Sequence, residues 1–411
     1  MDNEGATIAW LVAPGLALIA VTYGLARFAY GLFLPEMREA FGLAPSLLGA
    51  IGAGSYIAYG GAVVVSLVYT SRTGPRRMAV AAGAAAVVGM AAVAAAPAAW
   101  VLALGILVAG ASTGLASPPM AEAVARSLPD GLQDRANALI NSGTGVGVAL
   151  SGPAALLLTG QWRIAWALFA LVGLAVLAWN AATMPHEAAA AQEHESDGPY
   201  GGGAGAGDGS ETMRLSFSYL VGARARPRSM PLFAAAFGLG FASAAYWTFS
   251  RDLVVQAGGL GQAGSTFFWT VIGVSGLAGA AAGDLVGRFG LTAVLRGALF
   301  SMAASIALLA AAPGVLPLAY ASAALFGSTY ILLTGVILVW SVGVFQEIPS
   351  AGLGAGFLLI AVGQAVGSPS AGILAVTTSP TTAFFSFAGV AVLTALVRPR
   401  SDPQQGFHVK E

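Results

Sequence analysis

Twelve long apolar stretches, an internal repeat of half the chain, and too few charges to cover a water-facing surface point to an all-α integral membrane protein. The expected architecture is 12 transmembrane helices arranged as two pseudo-symmetric six-helix bundles. Of 411 residues, 57% are hydrophobic and 9% are charged, against about 25% charged in soluble domains. Such a chain needs a solvent that accepts apolar side chains, and a bilayer is that solvent. Eighteen basic and 18 acidic residues cancel, so there is no electrostatic footprint for nucleic acid. With no cysteine, disulfides, thiolate metal sites and cysteine nucleophiles are excluded. His186, His194 and His408 all lie in polar segments, which argues against a histidine metal centre.

A helix needs roughly 20 apolar residues to cross about 30 Å of hydrocarbon. The runs that qualify are approximately 8–33, 47–69, 78–96, 99–124, 138–159, 164–183, 231–250, 265–287, 291–312, 315–341, 352–376 and 380–397. A barrel would need alternating polar and apolar residues, whereas 78–96 is apolar throughout. The first run follows an acidic Met1-Asp2-Asn3-Glu4 and is far longer than a signal-peptide core, so it reads as a retained span.

Residues 184–229 break the pattern. They hold an acidic stretch (Glu187, Glu193, Glu195, Asp197, Asp208, Glu211), a glycine tract from Gly201 to Gly209, and then Arg214, Arg224, Arg226 and Arg228. The glycine tract reads as a flexible linker. The basic-apolar piece after it fits either a membrane-surface segment or more solvated linker. The expected division is therefore 1–183 as one bundle, 184–229 as linker and 230–411 as the second bundle. With the N-terminus inside, 14 of the 18 basic residues fall on the cytoplasmic side, and 10 against 4 remain when the linker is left out. Both termini and the linker are expected in the cytoplasm of a multi-pass plasma-membrane protein.

An offset of 216 residues aligns the halves without a gap. Tyr30 meets Tyr246, Phe33 meets Phe249, Glu36 meets Asp252, Arg72 meets Arg288, and Gly74 meets Gly290. Gly24 meets Gly240, Gly147 meets Gly363, Pro153 meets Pro369, and Phe169 meets Phe385. Six helices per repeat give both halves the same orientation. Transporters of that design hold their substrate between the halves near mid-membrane.

The loop after the second span reads Ser71-Arg72-Thr73-Gly74-Pro75-Arg76-Arg77, and its repeat reads Gly283-Asp284-Leu285-Val286-Gly287-Arg288-Phe289-Gly290. With twelve spans and a six-plus-six split, these loops resemble the signature of the major facilitator superfamily. The Arg-x-Gly core is present twice, but the family's Asp is Ser71 in one copy and Gly287 in the other. The resemblance implies a cytoplasmic gate at Arg72, Gly74, Asp284, Arg288 and Gly290, with Asp284 substituting from one turn earlier. Gly147 to Pro153 is similar to the Gly-Pro motif of the family's proton-antiporter branch. Arg27-Phe28-Ala29-Tyr30 resembles a poorly characterised bacterial branch. The resemblance also implies that helices 3, 6, 9 and 12 face lipid while the other eight line a cavity. The chain agrees independently: span 3 and the body of span 6 carry almost no polar side chain, which suits lipid.

Arg27, about twenty residues into the first span, is the most informative side chain. An Arg at mid-membrane costs at least roughly 2.5–3.5 kcal/mol, so it persists where it meets water, a counter-charge or a ligand. Tyr23, Arg27 and Tyr30 share a face at i, i+4 and i+7 of an α-helix. One reading is a cavity cation that holds a polar or anionic organic substrate; the other is a structural Arg paired with Glu36 or Asp252. Its repeat partner is Ser243, on a face with Tyr246 and Trp247, which fit either a cavity wall or an interfacial aromatic belt. Glu122 fits an i, i+4 pair with Arg126 at a helix end; the other reading is a proton-coupling carboxylate. Asn137, Asn141 and Thr144, Tyr330 and Thr334, and Gln364 and Ser368 form polar faces suited to substrate hydrogen bonds or to joining helices.

The expected function is transmembrane secondary transport of a small solute by alternating access. Protons are the expected coupling ion, because there is no Walker-type lysine loop for ATP use. An exporter of drugs or metabolites with the same fold remains open. A receptor or an intramembrane enzyme is the rival class, but no nucleophile, base or metal cluster stands at a useful spacing. No cofactor is called for. The expected partners are the substrate, H+ and lipid, with the chain acting as a monomer.

Overall fold

A computed structural model describes residues 2–184, 229–345 and 349–399. Among these residues twelve rods run in order: α1 (Asp2–Phe41, in three successive windings), α2 (Pro45–Thr70), α3 (Arg72–Ala94), α4 (Ala99–Ser127), α5 (Asp130–Leu157), α6 (Trp162–Thr183), α7 (Ser229–Gln256), α8 (Gln262–Phe289), α9 (Leu291–Ala311), α10 (Leu316–Val344), α11 (Pro349–Thr377) and α12 (Pro380–Ala395). No strand occurs among the described residues. The linker and its arginines lie outside them.

Local chemistry sets the breaks. Gly42 ends α1 at φ 62°, and Pro45 opens α2. Gly74 at φ 77°, ψ 159° separates α2 from α3, and Gly290 at φ 81°, ψ 150° separates α8 from α9. Both adopt a left-handed backbone that favours glycine, so the repeat pair found by sequence makes the same turn twice. Ser379 caps α12 by accepting the Thr382 N–H at 3.0 Å.

Several helices outrun the expected spans, among them α3, which begins at Arg72 rather than 78. α1 continues past 33 to Phe41, and α7 past 250 to Gln256, because their charged ends pair with each other. α5 begins at Asp130 rather than 138.

Even helix number puts the start of α1, the end of α6, the start of α7 and the end of α12 on one side, here the terminal side; the opposite is the far side. α1 packs on α4, α5 and α6, while α7 packs on α10, α11 and α12. Between the halves, α2 lies on α11, α5 on α8, and the far end of α1 on α7. Within their most apolar stretches α1 is 83% and α7 78% buried, against 39% for α6. The most enclosed helices are thus the pair that faces across the middle. Val88, Leu171, Phe300 and Leu393, on α3, α6, α9 and α12, are exposed, as lipid contact requires.

Candidate functional site

The site begins with an irregularity in α1. Ala20–Phe28 is wound as a π-helix, in which hydrogen bonds run i→i+5 and which recurs at functional positions. In an α-helix, residues 23 and 28 would point roughly 140° apart. The wider winding brings Tyr23, Arg27 and Phe28 to one crevice. Asn141 and Thr144 of α5, Tyr59 of α2, Tyr330, Ile331 and Thr334 of α10, and Phe357 and Ile360 of α11 complete a cavity of about 30 Å³. Both halves contribute to it.

Arg27 is 4% exposed. One terminal nitrogen donates to Gln364 Oε1. Its guanidinium sits over the Tyr59 ring at 4.1 Å and the Tyr56 ring at 4.9 Å. Its Nε is buried with no partner. No acidic side chain lines the space among the described residues. Gln364 is fully buried and donates through Nε2 to the Tyr330 hydroxyl at 3.2 Å. The Tyr23 hydroxyl meets Ser117 Oγ of α4 at 2.7 Å. Glu36 and Asp252, the alternative partners for Arg27, are taken by other arginines.

Above the crevice the far side is shut in layers. Phe28 of α1 stacks on Trp247 of α7 at 3.9 Å, and Trp247 meets the Tyr330 ring edge-on at 5.1 Å. Next, the Gly31 backbone passes so near the Trp247 carbonyl that a Cβ there would lie 2.0 Å away. Outermost, the Arg251 guanidinium of α7 is 1% exposed and bonds to both Glu36 oxygens of α1 at 2.7 and 2.8 Å. It also bonds to the Leu32 carbonyl and to Gln262. A second pair, Arg38 of α1 to Asp252 of α7 at 2.9 Å, crosses in the opposite sense.

Several expected residues stand elsewhere. Tyr30 does not share the Arg27 face: the π winding turns it toward α2, where its hydroxyl donates to the Leu48 carbonyl at 2.8 Å. Tyr246 is sealed inside the second half, stacked on Phe326 at 3.8 Å and bonded to Ser322 Oγ at 2.7 Å. Trp247 closes the far side of the crevice. Glu122 pairs with Arg126 at 2.7 Å, one third exposed and outside the lining. Such a pair contributes about 0.3–0.5 kcal/mol, so Glu122→Gln is expected to leave folded yield and melting midpoint nearly unchanged. A fall of several degrees in the midpoint would contradict that. At the loops, Arg72, Asp284 and Arg288 are exposed, while Arg76 Nε ties α3 to the Ala181 carbonyl of α6 at 3.1 Å.

Tyr56, Tyr59, Phe28 and the crossed ion pairs were not picked out by sequence. The register match of Glu36 with Asp252, each with an arginine within two residues, was the available signal for the pairs.

A family model described as Major Facilitator Superfamily matches residues 16–347. Among solved structures, the chain is similar to a mutant of the nucleoside transporter NupG, at 13% identity and TM-score 0.72 over 94% of this chain and 98% of that one. It is similar to a partially occluded, inward-open xylose transporter XylE from E. coli, at 15% identity and TM-score 0.71 over 95% and 97%. It is also similar to a POT family transporter in complex with 5-aminolevulinic acid, at 11% identity and TM-score 0.71 over 96% and 95%. At these identities the likeness is one of fold. No curated protein sequence matches.

Proposed function

The chain belongs to the major facilitator superfamily, and from that premise we propose that it moves a small polar or anionic organic solute across the plasma membrane. The protein is a membrane transporter and not an enzyme. In the proposed cycle two bundles, 1–183 and 230–411 joined by the 184–229 linker, rock about the crevice as a monomer. Termini and linker face the cytoplasm, from the arginine distribution. The described state is then closed to the outside by the Phe28–Trp247 stack and the crossed ion pairs.

One observation carries the substrate reading: Arg27 is buried, bonded to a neutral glutamine, and keeps Nε unpartnered beside a space built by both halves. A buried charge without a counter-charge is costly, and a solute that supplies the missing acceptors recovers that cost. A proton gradient is the proposed driving force. Glu122 is held by Arg126 outside the lining of the crevice.

The test is flux into liposomes of a solute first found by thermal-stability screening, since a ligand of the folded form raises its midpoint. Arg27→Lys keeps the charge but loses the planar fork. Both Arg27→Lys and Arg27→Ala are expected to cut flux at least about tenfold at unchanged folded yield. Wild-type flux in either variant refutes the assignment. Flux indifferent to an imposed pH gradient refutes proton coupling alone.

A further inference from the structure

Resting on that reading, and going one step further, we propose that the solute is a monoanion: a single carboxylate carried on a small, flat, largely apolar body.

The charge count comes first. Arg27 is the one ionised side chain among the described residues lining the crevice. Glu36 is committed to Arg251, Asp252 to Arg38 and Glu122 to Arg126. One negative charge makes the enclosed site neutral. A dianion leaves a second charge with no partner in a low-dielectric space, and a cation meets a like charge.

The geometry of the guanidinium is the second argument. Its ring-facing side is covered by Tyr59, so approach is along an edge. On one edge Nη2 already donates to Gln364 Oε1 while Nε has no acceptor. That edge is the one a carboxylate takes with two parallel hydrogen bonds. Gln364 Oε1 therefore stands in for one carboxylate oxygen: a neutral acceptor half-fills a fork built for an anionic one. Displaced from Arg27, Gln364 remains anchored through Nε2 on Tyr330.

The walls set the body. Tyr23, Phe28, Tyr330 and Phe357 offer ring faces and edges, which pack well against a planar group. The closed cavity holds only about 30 Å³, about the space of one water, so the body is small and the surrounding side chains part to admit it. Asn141, whose amide has no protein partner among the described residues, leaves room for one polar substituent on that body.

Four probes of nearly one shape separate the charges: benzoate, its neutral amide benzamide, the dianion terephthalate and the cation benzylamine. With the purified full chain, benzoate is expected to raise the melting midpoint by about 2 °C or more at saturation, and the other three to leave it unmoved. Gln364→Glu places a permanent carboxylate on the fork, so it is expected to melt no lower than wild type and to lose the benzoate response. Arg27→Lys is expected to weaken benzoate at least about tenfold, and it covers the case in which Gln364→Glu does not fold. Benzamide equal to benzoate, terephthalate stronger than benzoate, or no response to benzoate, phenylacetate or 4-hydroxybenzoate each overturns the proposal. Xylose or uridine carried in liposomes while the acids are inert would remove the monoanion and leave the transport reading. Acids that bind without any flux would do the reverse.

Discussion

Gly24→Val is expected to abolish recovery of folded protein. A Cβ at Gly24 would lie 2.4 Å from the Gly147 Cα and 2.6 Å from the Val148 nitrogen. Both are backbone atoms of α5 and cannot swing aside. The contact is reciprocal, since a Cβ at Gly147 would lie 2.1 Å from the Ala20 carbonyl oxygen. The second half repeats it: a Cβ at Gly240 would lie 2.1 Å from the Ile360 oxygen, and one at Gly363 would lie 2.2 Å from the Phe237 oxygen. In lipid, helices associate through close packing rather than the hydrophobic effect, so small residues at crossings carry the association. Forcing α1 off α5 also pulls the π segment from its support. Overpacking costs about 1–3 kcal/mol where side chains can shift and more where only backbone is in the way, a large part of a typical total stability. The measurement is monodisperse yield after detergent extraction, with Gly61→Val as control because nothing lies within 4 Å of a Cβ there. Normal yield of Gly24→Val would show that the crossing is looser than described.

Arg251→Ala is expected to open the far side. The change removes both bonds to Glu36 and those to Leu32 and Gln262, and leaves the Glu36 carboxylate largely buried without a counter-charge, with the Gln262 amide still donating to it at 3.3 Å. Breaking a buried pair by deleting one partner costs about 3–5 kcal/mol. Because the Glu36 pair spans α1 and α7, that cost falls on the state in which they touch, and the population moves toward the opposite one. The native chain has no cysteine, so an introduced thiol is read without background. Thr248→Cys, 1% exposed beneath the ion pairs and between Tyr56 and Ser368, should react slowly with a membrane-impermeant reagent added to the far side. Adding Arg251→Ala should speed that labelling at least about tenfold. Glu36→Gln, which keeps an acceptor for Arg251, should give a smaller rise. Equal labelling with and without Arg251 would mean that the pairs are not a closure.

Helix number, the duplicated halves and the polar helices were legible in the residues themselves. A spanning helix satisfies its backbone internally, so hydropathy along the chain is enough to count it. The repeat showed in Gly24, Gly147, Gly240 and Gly363, and the structure gives all four the same task. Arg27 and Gln364 stood out because a charge or an amide inside lipid needs a reason, and the fold joins them across the halves. What stayed hidden is of another kind. Tyr30 was assigned to the Arg27 face on α-helical spacing, and the π winding of Ala20–Phe28 changed that register. Tyr246 matched a cavity residue by type, yet its ring is used within the second half's core. The partners of Glu36 and Asp252 lie more than two hundred residues away, and nothing local chooses among Arg27, Arg38, Arg163 and Arg251. Composition and periodicity report the cost of placing each segment in lipid or water, a property of neighbouring residues. Winding register and ion-pair partners depend on how closely two distant backbones approach, and that is settled only when the helices pack.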